Sequence, residues 1–495
     1  MATPHGVARL VCSGYAGAMN LLAPCSTALA LCAGLTPLQD PTRDFIAGQV
    51  QVEEKTYPYV LLPPSQIVEG ERYPLVVFLH GIGERGSDNE LQKEHFPKRM
   101  AAAAYSERFP CFVLAPQCPK DQRWANVREL DSGRRIQEPD PTGAMQGAIA
   151  ALAEVVRTQP IDMQRIALTG LSMGGSGAWD LATRHPGWFS AAAPVCGGGD
   201  PETVVRLAGL PVMVWHGAKD TVVPTKRSRE MVEALRKLKH PVEYTELPGV
   251  HHDAWNHAYA PDGCLENLIG ARRDPEIIQE ETVRLLARAL APDERVAFLG
   301  DSITQAGNRP GGYVDRIRAV FKEERPDVGV IPAGISGHKV PDLLKRFEAD
   351  VIQKGATLVF IYIGINDVWH SQSGKGTSPE DFESGLHQLI DTLEASGAQV
   401  VLATPSVIGE KPAGENNLDA MLESYAAISR RVAATQGVTL CDLHTAFDSY
   451  LKIFNPTGVA KSVLTSDGVH LNAAGNVFLA TEAARALRQA VLARD

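Results

Sequence analysis

Beyond its first forty residues the sequence has no long apolar run, and nowhere does it carry a basic cluster or a recognisable pairing pattern of cysteines. Each absence removes a class of protein. A membrane span needs about 18 consecutive apolar residues, so multiple membrane passes are excluded. A net charge of -10, with no run of five basic residues, argues against nucleic acid or an anionic membrane surface as the main partner. Eight cysteines in 495 residues, with no C-x-x-C and no histidine cluster at ligand spacing, make neither a disulfide framework nor a zinc site. No metal and no cofactor are expected.

What is present is ordinary globular composition, 44% hydrophobic and 21% charged, in a chain too long for one core. The N-terminus has an apolar stretch from Ala16 to Leu35 with small-x-small sites such as Ala28-Leu29-Ala30. Residues 1–38 resemble a secretory signal peptide with a weak basic region, followed by a tail. A disordered tail, or a true start at Met19, is the alternative. Removal of the segment would take away Cys12, Cys25 and Cys32 and leave five scattered cysteines, with one bridge open to them in an oxidising compartment.

From about residue 50, strand-like runs ("YPYVLLPP", "YPLVVFLHG", "CFVLAP", "QRIALTG", "LPVMVWHG") alternate with helical patterns. Buried strands interleaved with helices predict a mainly parallel three-layer α/β sheet. A second series starts afresh at "RVAFLGD" and runs through "DVGVIPAG", "TLVFIYIG", "AQVVLATP" and "GVTLCDL". Between the series, Ile277, Ile278, Val283, Leu285, Leu286 and Leu290 fit one amphipathic helix, started by Asp274-Pro275 and stopped by Pro292. The expected division is one domain over 39–272, a helical linker over 273–293 and a second domain over 294–495. The two halves share no repeat.

In the first series, "GLSMG" around Ser172 follows a strand and precedes a helix, as a G-x-S-x-G nucleophile elbow requires. The backbone N–H groups of Ile82, in "LHGIGERG", and Met173 are the expected oxyanion donors. Asp220 in "WHGAKD" and His252 in "GVHHDAW" complete the chain order Ser, Asp, His. These segments resemble the α/β-hydrolase superfamily, in the branch of predicted peptidases, carboxylesterases and feruloyl esterases. That branch usually has glycine where His251 stands, which leaves His251 as the competitor of His252 for the role of base. Trp124 and Trp255, close to the motifs, read equally as pocket walls or core, as does Trp179.

In the second series, "FLGDSITQ" places Ser302 directly after a strand with no glycine behind it, so it is not a second elbow of the same kind. Gly334 in "PAGISGH", Asn366 in "YIGINDVW", and Asp467 and His470 in "TSDGVHLNAAG" follow in order. These four blocks resemble the SGNH or GDSL hydrolases. The resemblance implies a flavodoxin-like α/β/α fold with Ser302 as nucleophile, His470 as base and Asp467 as its orienting carboxylate. It implies an oxyanion hole of the Ser302 and Gly334 N–H groups and the Asn366 amide. The family usually has asparagine where Pro332 stands. Asp301 reads as a carboxylate structuring the Ser302 loop, and His338, Trp369 and His370 as pocket lining or plain surface.

Both resemblances point to one function: a serine carboxylic-ester hydrolase with two sites, acting outside the cell on acylated carbohydrate. Three rivals remain open at this level: a lipase or lysophospholipase, an esterase of small esters, or one catalytic half beside a binding module. The insertion Asp121 to Asp140 is too polar for a lipase lid.

Overall fold

The computed structural model describes residues 44–494; the signal-peptide reading lies outside them. Fifteen strands are grouped as two α/β sheets and a small hairpin. In chain order they are β1 (Ile46–Val52), β2 (Lys55–Leu62), β3 (Tyr73–Leu79), β4 (Phe112–Pro116), β5 (Val127–Glu129), β6 (Arg135–Gln137), β7 (Ile161–Leu171), β8 (Ala191–Val195), β9 (Val212–Gly217) and β10 (Val242–Leu247). Then come β11 (Arg295–Gly300), β12 (Gly329–Gly334), β13 (Leu358–Tyr362), β14 (Gln399–Ala403) and β15 (Thr439–Cys441).

The first sheet has eight strands in the order β1-β2-β4-β3-β7-β8-β9-β10. Only the β1–β2 and β2–β4 pairings are antiparallel. Position in the sheet explains the composition of its strands. β1 is half exposed at the edge, whereas all seven residues of β3 are buried. Successive side chains of a strand point to opposite faces, and β3 divides accordingly: Leu75, Val77 and Leu79 join one core, Val76 and Phe78 the other. The helix Gly143–Thr158 packs into the first of these cores, and the helices Phe96–Ala101 and Leu265–Gly270 into the second, which gives three layers.

The second sheet is parallel throughout, in the order β12-β11-β13-β14-β15. Pro332 lies in β12, an edge strand, where a missing N–H costs least. The departure from the family pattern at this position is therefore easily accommodated. The α/β class anticipated for both halves is present.

The segment expected as a linker does more than connect. The helix Pro275–Ala287 is capped by Asp274, whose side chain accepts from the N–H groups of Glu276 and Ile277. Its residues Val283, Leu286 and Ala287 belong to the second core. Amphipathicity had marked the helix correctly but could not say which sheet its apolar stripe would cover.

The described residues fall within one compact unit, and the seam between the sheets is built of side chains from both series. Ile453, from the helix Leu443–Phe454 of the second series, is fully buried in a core of the first. From the C-terminal helix Ala473–Leu492, Arg488 donates to the carbonyl of Leu238 at 3.0 Å and Arg485 to that of Ala208 at 3.4 Å. The five described cysteines, Cys111, Cys118, Cys196, Cys264 and Cys441, are all buried.

Candidate active sites

β7 runs into the helix Met173–Arg184 with only Ser172 between them, at φ 55° and ψ -116°. This strained turn lifts the hydroxyl off the end of the strand. The turn is tight enough that a Cβ on Gly174 would fall 1.8 Å from the carbonyl oxygen of Leu79, so only glycine fits there.

Ser172 Oγ is 2.8 Å from His252 Nε2, and His252 Nδ1 is 2.7 Å from Asp220 Oδ2. Of the two adjacent histidines it is His252 that lies between serine and carboxylate, while His251 is exposed. Asp220 Oδ1 accepts the N–H groups of Val222 and Val223, each at 2.9 Å. Burial alone would raise the Asp220 carboxyl. The bonds from His252, Val223 and Val222 outweigh burial and hold it below the ordinary carboxylate range.

Beside Ser172 stands the turn His80-Gly81-Ile82, close enough that a Cβ on Gly81 would lie 3.7 Å from that of Ser172. His80 is buried, and burial pushes its imidazole down to about 4. Its Nε2 takes the Cys118 N–H at 3.0 Å and its Nδ1 lies 2.6 Å from the Gly81 carbonyl oxygen, so a neutral ring with hydrogen on Nδ1 pins the turn.

Trp124 does not face substrate. It is fully buried, its Nε1 donates to the His80 carbonyl at 3.0 Å, and the indole packs edge-on against His80 from within the core. An indole that finds a backbone acceptor inside is stable there, and sequence proximity to the motif could not reveal that partner. Trp179 is likewise core. Trp255 is partly exposed and meets the His252 ring edge-on at 5.2 Å, so it borders the imidazole.

The second set gathers from three strand ends and the C-terminal loop. Ser302 opens the short helix Ser302–Gly307 after β11, and its Oγ is 3.0 Å from His470 Nε2. His470 Nδ1 is 2.8 Å from Asp467 Oδ2, and Asp467 Oδ1 accepts the N–H groups of Val469 and His470. Burial would raise Asp467 too, and the hydrogen bonds from His470 and Val469 hold it low.

Gly334 ends β12 against this helix: a Cβ there would lie 2.3 Å from the Gln305 nitrogen. Asn366, in the helix Ile365–Trp369, reaches the same place. Its amide approaches the His338 carbonyl at 3.1 Å and Asp301 Oδ2 at 3.3 Å. Asp301 caps the Ser302 helix, accepting the Ile303 N–H at 2.9 Å, and full burial pushes its carboxyl up to about 7. Trp369 is 36% exposed at the rim.

The two sets differ in access. The Asp220 side chain is 0% exposed and that of His252 19%, against 49% for Asp467 and 40% for His470. The more open pair sits nearer the dielectric and salt of the solvent.

Sequence reading missed two carboxylate-centred arrangements. Glu410, fully buried, accepts the N–H groups of Val463, Leu464 and Thr465 and the Thr465 hydroxyl, which holds the segment leading to Asp467. Nothing in "VIGEKPAG" signals this, because the partners lie more than fifty residues away. His216, four residues before Asp220, also touches that carboxylate. Together with Cys196 it forms a group whose ligand atoms lie within 4.8 Å of one another. Burial pushes the Cys196 thiol up to about 12, and the Asp220 and His216 atoms are hydrogen-bonded to protein partners. The donor set is that of a protein network rather than a metal site, which takes a thiolate.

Fold and side chains together define a serine ester hydrolase of the α/β class. Residues 298–477 match the GDSL-like lipase/acylhydrolase family and residues 113–263 the dienelactone hydrolase family. An acetylxylan esterase from Geobacillus stearothermophilus is 30% identical over an alignment of 205 residues, covering 38% of this chain and 90% of that protein. The chain thus belongs to these esterase families, with an α/β-hydrolase domain in its N-terminal half and a GDSL domain in its C-terminal half, and it is a carboxylic ester hydrolase. Among solved structures, a thermostable esterase is 37% identical, covering 46% of this chain and 64% of that one, with a TM-score of 0.42. The acetyl xylan esterase AlAXEase is 39% identical, covering 38% of this chain and 96% of that one, with a TM-score of 0.37.

Proposed function

We propose that the chain is a bifunctional esterase that removes acetyl and feruloyl groups from acylated carbohydrate, with Ser172 and Ser302 as independent nucleophiles. The observation that carries this reading is that each serine lies within hydrogen-bond distance of its own histidine, and each histidine of its own aspartate. In each half the serine attacks the ester carbonyl while the histidine takes its proton and returns it to the leaving alcohol; water, deprotonated by the same histidine, then releases the acid and restores the serine, and the aspartate orients the ring. The N–H groups of Ile82 and Met173 serve the oxyanion in the first half, and those of Ser302 and Gly334 with the Asn366 amide in the second. Trp255 and Trp369 border the respective substrates.

The carbohydrate assignment is supported by the relative described as an acetylxylan esterase. Two activities on one chain act at raised local concentration on a multiply acylated polymer. Such a substrate is met outside the cell, in keeping with the signal-like N-terminus; among the described residues no helix is long and apolar enough to cross a membrane. The domain division at about Ala291 is part of the same reading.

The test is hydrolysis of p-nitrophenyl acetate, methyl ferulate and acetylated xylan by the wild type, Ser172→Ala, Ser302→Ala and the double variant. Each single variant is expected to lose a different substrate and the double variant all three. If one single variant matches the double on every substrate, the two-activity reading fails as stated, and the other half is a binding module or acts on an ester outside this set.

A further inference from the structure

His216 ends up beside the first site without a part in the chemistry described above. It lies in β9 and is fully buried. Its Nε2 is 3.1 Å from Asp220 Oδ2 and 2.9 Å from the Val223 carbonyl oxygen. Its Nδ1 is 2.7 Å from Ser228 Oγ, which in turn reaches the Gly197 carbonyl oxygen at 2.7 Å. Carbonyl and carboxylate oxygens only accept, so Nε2 must carry a hydrogen. The Asp220 oxygen that faces His252 Nδ1 at 2.7 Å thus also faces the single Nε2 hydrogen of His216, which it divides with the Val223 carbonyl oxygen.

We propose that His216 is a positioning residue of the first site: it holds Asp220 in the rotamer that presents Oδ2 to His252 and, by taking part of that oxygen's charge, limits how strongly Asp220 favours protonated His252. The proposal rests on the reading of Ser172 as a nucleophile. Burial lowers the His216 imidazole, which keeps the ring neutral at neutral pH. The other titratable groups facing this network do not change charge between pH 5 and pH 9. Cys196, after β8, has a thiol raised to about 12 by burial. Glu246, in register with His216 on β10, is held at about 2 by its bonds from Arg229 and Tyr244. His216 reaches His252 only through the carboxylate that both rings face.

The sign follows from sharing. Without the Nε2 hydrogen, the Asp220 charge acts on His252 alone and stabilises its protonated form, so Ser172 is activated only at higher pH.

The experiment uses the full chain and an alkyl fluorophosphonate. The serine oxygen bonds to phosphorus, fluoride leaves with the bonding pair and the histidine takes the serine proton. Mass spectrometry of the two serine peptides gives the labelling rate of each from pH 5 to pH 9. In His216→Phe the acid limb of the Ser172 profile should move up by about one pH unit, with labelling near pH 6 slowed about tenfold. Labelling of Ser302 should be unchanged. His216→Gln, whose amide keeps an N–H at similar reach, should return the limb towards the wild type. A Ser172 rate lowered equally at all pH values, with the limb unmoved, overturns the proposal. If His216→Phe slows both serines, the shorter His216→Asn, which does not reach Asp220, replaces it under the same two outcomes. A wild-type Ser172 that is never labelled overturns the nucleophile reading, and the proposal with it.

Discussion

Asp301 shows how one side chain can tie stability to the working of a site. Its Oδ1 caps the helix that begins at Ser302, and its Oδ2 lies against the Asn366 amide. An asparagine in its place would keep the cap but set one amide N–H against another, turning Asn366 away. We expect Asp301→Asn to lower the rate at the Ser302 site by about 100-fold, on the order of losing one oxyanion donor, measured with the Ser172→Ala background. The same residue sets a pH dependence. Burial raises its carboxyl to about 7, well above the ordinary carboxylate range. A group raised in the folded state contributes stability that is whole below the unfolded value and is lost as pH climbs through the folded one. The melting temperature of the wild type relative to Asp301→Asn should therefore fall from pH 5 to pH 8, as read by calorimetry. A constant gap would mean that Asp301 does not titrate in that range.

At the scale of the element, the loop that carries Asp467 and His470 has almost no regular structure of its own. Between the helices Leu443–Phe454 and Ala473–Leu492 it is closed by the Thr465–Leu471 bridge and by Glu410. Glu410→Gln replaces one acceptor oxygen by a donor among N–H groups. Leaving buried donors unmet costs about 1–3 kcal/mol each. We expect kcat at the Ser302 site to drop at least about tenfold while the kinetics of the Ser172 site hold, each measured with the other serine replaced by alanine. Equal loss at both sites would make Glu410 a general stabiliser. This contrast also explains what was legible beforehand. Ser172, Asp220, His252, Ser302, Asp467 and His470 sit at strand ends and short turns, where local motifs and family resemblance single them out as candidates. Glu410, His216 and the buried face of Trp124 depend on partners brought in by the tertiary fold. No window of sequence contains those partners.

For the whole molecule, the seam decides whether two esterase folds joined in one chain behave as two proteins or one. The boundary at about Ala291 is sharp in sequence, because the strand-helix pattern restarts there. The packing does not respect it. Ile453 of the second series fills a core of the first, and the Arg273 guanidinium, at the start of the linker segment before that boundary, lies 4.2 Å over the ring of Phe454. Arg488 and Arg485 are buried and donate to carbonyls of the first series, the former to the C-cap of the helix Lys226–Lys237. A buried arginine stripped of such a partner is strongly destabilising, so these contacts oblige the halves to fold against each other. Ile453→Asp places a charge in the first core from the second half of the chain. It should lower the rate at the Ser172 site as well as the melting temperature, and calorimetry of the wild type should give a single transition. Two separate transitions, with Ile453→Asp moving only the one that abolishes Ser302 activity, would show that the lobes fold independently. The wild-type chain is expected to lose both activities at the same temperature, because the core that supports Ser172 is completed by a residue delivered from the other side of the boundary.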